Sequence, residues 1–194
     1  MIGMVCVGGL LFNEQSIVFF MHKNAKKSNL QRSDMDIKIL NVSEDDAQFL
    51  YVLMNDKNIL DSLKEVPTII DDWTDAISIW KCDPDEEDYI IFDEKAPIGW
   101  LGVNGLLSED KTAYIKMIAI LPPFQNQSVG SYVINQCLDN LKSRKYKKVI
   151  LYTDQNNLRA QKCYEKCGFK ITEEFTQKMS NCDIAKRYKM ELHF

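Results

Sequence analysis

The sequence predicts an α+β fold with a mixed sheet. Three observations predict it. Residues 89–121 carry three successive strand signals separated by short turns. Residues 129–141 and 157–167 carry apolar stripes at helical spacing. Between those stripes, Val149 to Tyr152 is a short continuous apolar run, the pattern of a buried central strand.

The elements follow in order. The chain has 194 residues, enough for one domain with an appendage. Residues 1–33 read as an extension. Val5 to Phe12 and Ile17 to Met21 are apolar runs around Asn13-Glu14-Gln15-Ser16, the pattern of a hairpin, and Lys23 to Ser33 reads as a polar linker. Such a hairpin would cover a sheet edge, in this chain or in a second copy, which makes a homodimer a candidate assembly. Residues 34–194 form the main domain. Asp36 to Val42 alternates as a strand. Ser43 then caps a helix running to about Met54, with acids in its first turn. A second helix covers Thr68 to Trp80, and Asp83-Pro84-Asp85 turns the chain. Strands are expected at Tyr89 to Phe92, Ile98 to Leu107 and Thr112 to Leu121, paired antiparallel. After Pro122-Pro123 come the helix from Val129 to Leu141, the strand Val149 to Tyr152 and the helix Asn157 to Cys167. Gly168 sits where a helix-ending residue belongs. Strands near Phe169 to Ile171 and Arg187 to Leu192 close the domain.

Composition narrows the function. The longest apolar run, Ile2 to Phe12, is too short to span a bilayer and lacks a basic leader, so a cytoplasmic, membrane-free protein is expected. Six cysteines without a CxxC pair, and only two histidines, predict reduced thiols and no metal site. Net charge is −4, but it divides unevenly. Residues 34–110 hold 20 acids and 5 bases, whereas residues 111–170 hold 11 bases and 3 acids. A basic half suits a phosphorylated ligand and an acidic half a cationic one, although both also read as solvated faces. No arginine-rich cluster or nucleic-acid motif is present, so no nucleic-acid partner is expected.

Two segments carry candidate chemistry. In "IAILPPFQNQSVGSYVI" a strand ends at Ile120 and Gly130 stands where a helix begins. Loop amides and the free N–H groups of a first helical turn would together bind an anion. In "NLRAQKCYEKCGF" Asn157 opens a helix and Tyr164 lies two turns on, so both can face one cleft. Taken singly, the first also reads as an ordinary strand–helix turn, and Tyr164 as a core tyrosine.

Their order resembles the GNAT superfamily of N-acetyltransferases. The family's phosphate-loop pattern, Q/R-x-x-G-x-G/A, meets Gln125-Asn126-Gln127-Ser128-Val129-Gly130 here. Its later pattern, N-x-x-A-x-x-x-Y-E-K-x-G-F, is matched in full from Asn157 to Phe169. The resemblance covers about residues 35–192. It implies a mostly antiparallel central sheet of about six to seven strands flanked by about four helices, with a splayed fourth strand forming the CoA cleft. It implies acetyl-CoA as cosubstrate, no metal, and direct transfer to an amine in a ternary complex. Backbone groups of Ile118, Ala119 and Ile120 would pair with the pantetheine arm. The loop Gln125, Asn126, Gln127, Ser128, Val129, Gly130 and Ser131 would hold the pyrophosphate, and Asn157 would bind near the pantetheine. Tyr164 would protonate the departing thiolate, which suits a phenol of pKa ~10.

Two departures stand out. The usual first loop glycine is Ser128, and a position often glycine is Asn126, which predicts weaker or slightly rearranged phosphate binding, not its loss. Where some relatives carry a general-base glutamate on the fifth strand, this chain has Tyr152. Asp154, a water or a residue of the acidic half are further candidates, and the base stays open. A ping-pong route through Cys137 or Cys163 is the chemical rival, and a non-catalytic acyl-CoA-binding module is the functional one. Trp73 and Trp80 among Asp71, Asp72 and Asp75 suggest a cationic acceptor, either a small molecule or a peptide or protein amine. The two tryptophans, seven apart on a helix, also read as core.

Overall fold

The computed structural model describes residues 4–7, 10–13 and 35–194. Strand β1 (Met4–Val7) pairs antiparallel with β2 (Leu10–Asn13). The first apolar run therefore turns back on itself between Val7 and Leu10 and is not one strand, while residues 14–16 of the expected turn lie outside the described residues. The run Ile17 to Met21 and the linker lie outside the described residues.

The main sheet has seven strands in the order β3-β4-β5-β6-β7-β9-β8. They are β3 (Ile37–Asn41), β4 (Glu86–Asp93), β5 (Ala96–Asn104), β6 (Thr112–Ile120), β7 (Lys148–Asp154), β8 (Lys170–Lys178) and β9 (Ile184–His193). Five of the six neighbouring pairs are antiparallel, and only β6 and β7 run parallel. That parallel pair follows from the intervening helix, because parallel strands need a crossover connection.

Among the described residues five α-helices flank the sheet: α1 (Ala47–Met54), α2 (Lys57–Leu63), α3 (Ile70–Trp80), α4 (Val129–Ser143) and α5 (Leu158–Lys166). The expected start at Ser43 holds. Asp46 Oδ2 accepts from the Ser43 N–H at 2.7 Å and its hydroxyl at 2.8 Å, and a 3-10 turn over Glu44–Asp46 leads into α1. Helix α2 was not expected. It is short and polar, with only Ile59 fully buried, so it carries no readable stripe. Its one signal is Asp56, whose Oδ1 accepts from the N–H of Asn58 and of Ile59, an N-cap. Strand β8 is much longer than expected because it is the sheet edge. Nearly all its residues are exposed, which erases the apolar alternation.

The core lies between sheet and helices. Phe49, Leu50 and Leu53 of α1, Val133, Ile134 and Leu141 of α4, and Ile98 and Leu101 of β5 are essentially inaccessible. Burying one such side chain contributes roughly 2 kcal/mol, so the central strands are held from both faces. Among the described residues no helix is long and apolar enough to cross a membrane.

Candidate active site

The cleft originates in strand pairing. β6 and β7 pair only from Thr112↔Lys148 to Tyr114↔Ile150. β6 then continues to Ile120 and β7 to Asp154 without pairing. This splayed fourth strand of the sheet leaves one edge of β6 bare. Which backbone groups face the gap follows from the other edge. The Leu121 N–H donates to Ile98 O at 2.8 Å, so odd residues there point to β5. In an antiparallel pair the direction alternates, so Ile118 and Ile120 present their N–H and C=O to the gap. Ala119 turns its backbone toward β5, so of the three residues expected to meet the pantetheine arm, Ile118 and Ile120 are the ones whose backbone faces the gap.

A cavity of about 540 Å³ fills the gap. Ile118, Ala119, Ile120, Gln125, Asn126, Ser128, Gly130, Ser131, Asn157 and Tyr164 all line it. Val129 and Gln127 do not. Val129 is buried in the core, and Gln127 turns inward to donate from Nε2 to Pro123 O at 2.6 Å. Arg159, Lys162 and Lys166 of α5 bring the basic half of the chain to this cleft.

The loop departures have a structural answer. Asn126 (φ 61°) and Ser128 (φ 63°) are both left-handed. These are the positions where glycine was expected, and left-handed backbone is what glycine adopts without cost. Asparagine tolerates that region better than most residues, and serine bears the strain. The loop therefore keeps a glycine-type path. Tyr132 N–H is the first to reach an intrahelical carbonyl, Ser128 O at 3.0 Å. The N–H groups of Val129, Gly130 and Ser131 are thus without helical acceptors at the mouth of the cleft. Gln125 Nε2 donates to Ile120 O at 2.6 Å, and Arg159 donates to Gln125 Oε1, bracing loop, strand and α5 together.

Across the cleft, α5 ends in a Schellman turn. Phe169 N–H donates to Tyr164 O at 3.1 Å and Gly168 N–H to Glu165 O at 3.0 Å. Gly168 takes φ 97°, which a side chain resists. The accompanying apolar contact is Phe169 edge-on to Tyr164, with centroids 6.2 Å apart. So the motif's glycine and phenylalanine together fix the tyrosine ring. The Tyr164 hydroxyl has no hydrogen-bond partner among the described residues, whereas the buried Tyr146 donates to Leu106 O at 2.6 Å. Burial pushes the Tyr164 phenol above its ordinary range, keeping it protonated. Asn157 caps α5, its Oδ1 accepting from Ala160 N–H at 3.2 Å, and its Nδ2 donates to Ser62 Oγ of α2 at 3.3 Å.

The base candidates divide. Burial works to raise the Asp154 carboxyl, but Lys64 and the Asn156 N–H outweigh it and hold it below the ordinary carboxylate range. Lys64 Nζ lies 2.9 Å from Asp154 Oδ2. Asp154 is therefore a weak base that anchors α2 to β7. Tyr152 is 43 % exposed and lines the cavity. The two rival thiols also part. Burial pushes Cys137 up to about 12. Cys163 lines the cleft against the loop, its Sγ 3.4 Å from Ser131 Oγ, and hydrogen bonding from Cys167 lowers its pKa.

Trp73 and Trp80 do not stand open to a ligand. They pack with Trp100 of β5, centroids 5.2–6.3 Å apart. The cation over this cluster is the chain's own. Lys116 Nζ sits 4.3 Å from the Trp80 ring, 3.1 Å from Asp88 Oδ2, and in an ion pair with Glu86. Asp71, Asp72 and Asp75 are exposed on α3, and Asp72 Oδ2 accepts from Ile69 N–H at 3.0 Å at the helix start.

A second cavity of about 610 Å³ is lined by strand residues alone, among them Tyr114, Lys116, Phe175, Gln177 and Arg187. It shares Tyr152 and Arg187 with the first. Sequence reasoning missed Lys116 and Arg187, since isolated cations on strands carry no motif.

The sequence profile of the acetyltransferase (GNAT) family matches residues 44–169. A search of curated protein sequences finds no match. Among solved structures, the spermidine N-acetyltransferase of Vibrio cholerae, in complex with CoA and spermine, is similar at TM-score 0.74 and 22 % identity, over 81 % of this chain and 95 % of that one. The microcin C7 self-immunity acetyltransferase, in complex with acetyl-CoA and AMP, is similar at TM-score 0.74 and 19 % identity, over 83 % and 93 %.

Proposed function

The chain belongs to the GNAT acetyltransferase family, and from that premise we propose that it transfers the acetyl group of acetyl-CoA to a primary amine by direct attack in a ternary complex. One observation carries this reading. The splay of β6 from β7 leaves the Ile118–Ile120 edge without a neighbouring strand between the 125–131 loop and Tyr164, with Ile120 O held by Gln125 Nε2.

Each residue's part follows from its place. Ile118 and the Ile120 N–H pair with the pantetheine amides as a further strand would, while Ile120 O stays with Gln125. The N–H groups of Val129, Gly130 and Ser131, with Arg159, Lys162 and Lys166 nearby, receive the pyrophosphate. Asn157 reaches the cofactor only by giving up its bond to Ser62, so we assign it a positioning part. The acceptor nitrogen attacks the thioester carbonyl, the C–S bond breaks, and the Tyr164 hydroxyl gives its proton to the leaving sulfur. The amine proton passes to water, because Asp154 is too weakly basic. Cys163 stands against Ser131, at the pyrophosphate end of the cleft, and is misplaced to take the acetyl group.

The expected cationic acceptor loses its main support, because Lys116 already fills the tryptophan cluster. The deciding experiment is a thiol-release assay with acetyl-CoA over a panel of amines. Tyr164→Phe should lower kcat about 100-fold or more, the range for a lost general acid, while leaving acetyl-CoA affinity nearly unchanged. Binding of acetyl-CoA without thiol release on any amine would instead indicate an acyl-CoA-binding module.

A further inference from the structure

The charge of the second cavity bears on what the acceptor is. The cavity opens on the Tyr152 face of the sheet, while Leu151 and Thr153 on the other face are buried. It meets the cofactor cleft at Tyr152 and Arg187, so a molecule in it adjoins the cleft that Tyr164 lines. Its lining holds two cations, Lys116 and Arg187, and no carboxylate.

The two cations differ. Lys116 is matched by Glu86 and Asp88. Arg187 is in no ion pair among the described residues. Its Nη1 donates to Gln177 Oε1 at 2.9 Å, and its Nε is buried with no partner. Asp154, the carboxylate opposite it in the β7–β9 register, attracts it from a distance but makes its ion pair with Lys64. A half-buried guanidinium with an unsatisfied donor is costly unless something anionic meets it. A polycation placed there would meet Arg187 without any lining carboxylate to offset it.

We propose that the acceptor amine carries an anionic group, a carboxylate or a phosphate, which Arg187 receives in the strand-lined cavity. This rests on the acetyl-transfer reading above. Arg187 offers paired N–H donors that match either oxyanion. Gln177 and Tyr114 line the same cavity and supply further polar contacts.

The test is a matched series of primary amines of graded length ending in a carboxylate, a phosphate, a carboxamide or a second ammonium. Thiol release is measured with wild type, Arg187→Gln and Arg187→Lys. The anionic amines should be turned over with the lower KM, and the better of the two names the oxyanion. Arg187→Gln should raise KM for that amine about tenfold or more, as for a lost charged hydrogen bond. It should leave KM for the carboxamide unchanged, with Arg187→Lys intermediate. Equal or better use of the diamine or carboxamide, with Arg187→Gln silent, overturns the proposal and leaves acetyl transfer standing. If no amine releases thiol, acetyl transfer itself fails, and thermal stabilisation by the same compounds is read instead. Stabilisation by the anionic members in wild type but not in Arg187→Gln supports the anion site, and its absence rejects it.

Discussion

The 125–131 loop and the 157–169 segment face one another across the cleft and are held by different means. The loop holds its shape through backbone conformations that cost energy, at Asn126 and Ser128, and through side chains that brace it from outside, Gln125, Gln127 and Arg159. The α5 segment is held by satisfied bonds at both ends, the Asn157 cap and the Gly168 Schellman turn. Its strain is confined to one glycine, where it is free of cost. Ligand-facing N–H groups come from the strained side, and the unpartnered Tyr164 hydroxyl from the relaxed side. Binding and chemistry should therefore respond to different substitutions.

Gly168→Ala breaks this contrast most sharply. At φ 97° a Cβ is strained, and it would also meet Leu192 Cδ1 at 3.3 Å. The expected loss of stability is about 1–2 kcal/mol. The same turn seats Phe169 on the Tyr164 ring, so kcat should fall further than Tm alone explains. A variant that melts early but keeps full kcat when folded would show that Tyr164 does not depend on the turn.

The Lys64–Asp154 pair sharpens the comparison at smaller scale, since it ties α2 over the cleft to the strand next to α5. Asp154 titrates lower folded than unfolded, so its contribution is present above the unfolded carboxylate pKa of about 3.9 and is lost as pH falls through the lower folded value. Asp154→Asn should melt below wild type near neutral pH, and the gap should close as the solution is acidified beneath the carboxylate range. A gap independent of pH would mean that the ion pair contributes nothing.

How much of this could be read from the chain depends on how local each feature is. Helix α4, helix α5 and the Gly168 turn were legible because their signals lie within one element. The left-handed loop positions were legible only as departures at Asn126 and Ser128, since a residue type states its preference and not the conformation imposed on it. Helix α2 was not legible, being short and polar, and neither was β8, whose exposed residues lack alternation. The acceptor side was the least legible. Trp80 of α3, Trp100 of β5 and Lys116 of β6 meet only after the sheet assembles, so a ring pair that looks open along the helix is closed by strands distant in sequence. The splay is of the same kind, a pairing that stops at Tyr114↔Ile150 with no local mark.

Ser128→Gly probes the loop with the smallest expected effect. Ser128 precedes α4 in left-handed backbone, and its hydroxyl makes no capping bond, so the side chain contributes little where it stands. Glycine removes a left-handed cost of roughly 1–2 kcal/mol but adds an unfolded-state entropy cost of about 0.5–1 kcal/mol. The net gain should be about 0.5 kcal/mol, measured as a raised denaturation midpoint at unchanged m-value. Acetyl-CoA affinity should stay level or improve slightly, because the N–H groups of Val129, Gly130 and Ser131 keep their directions. If affinity falls while stability rises, the strained serine is itself positioning those donors, and the loop is a tuned element and not a weakened copy of a glycine loop.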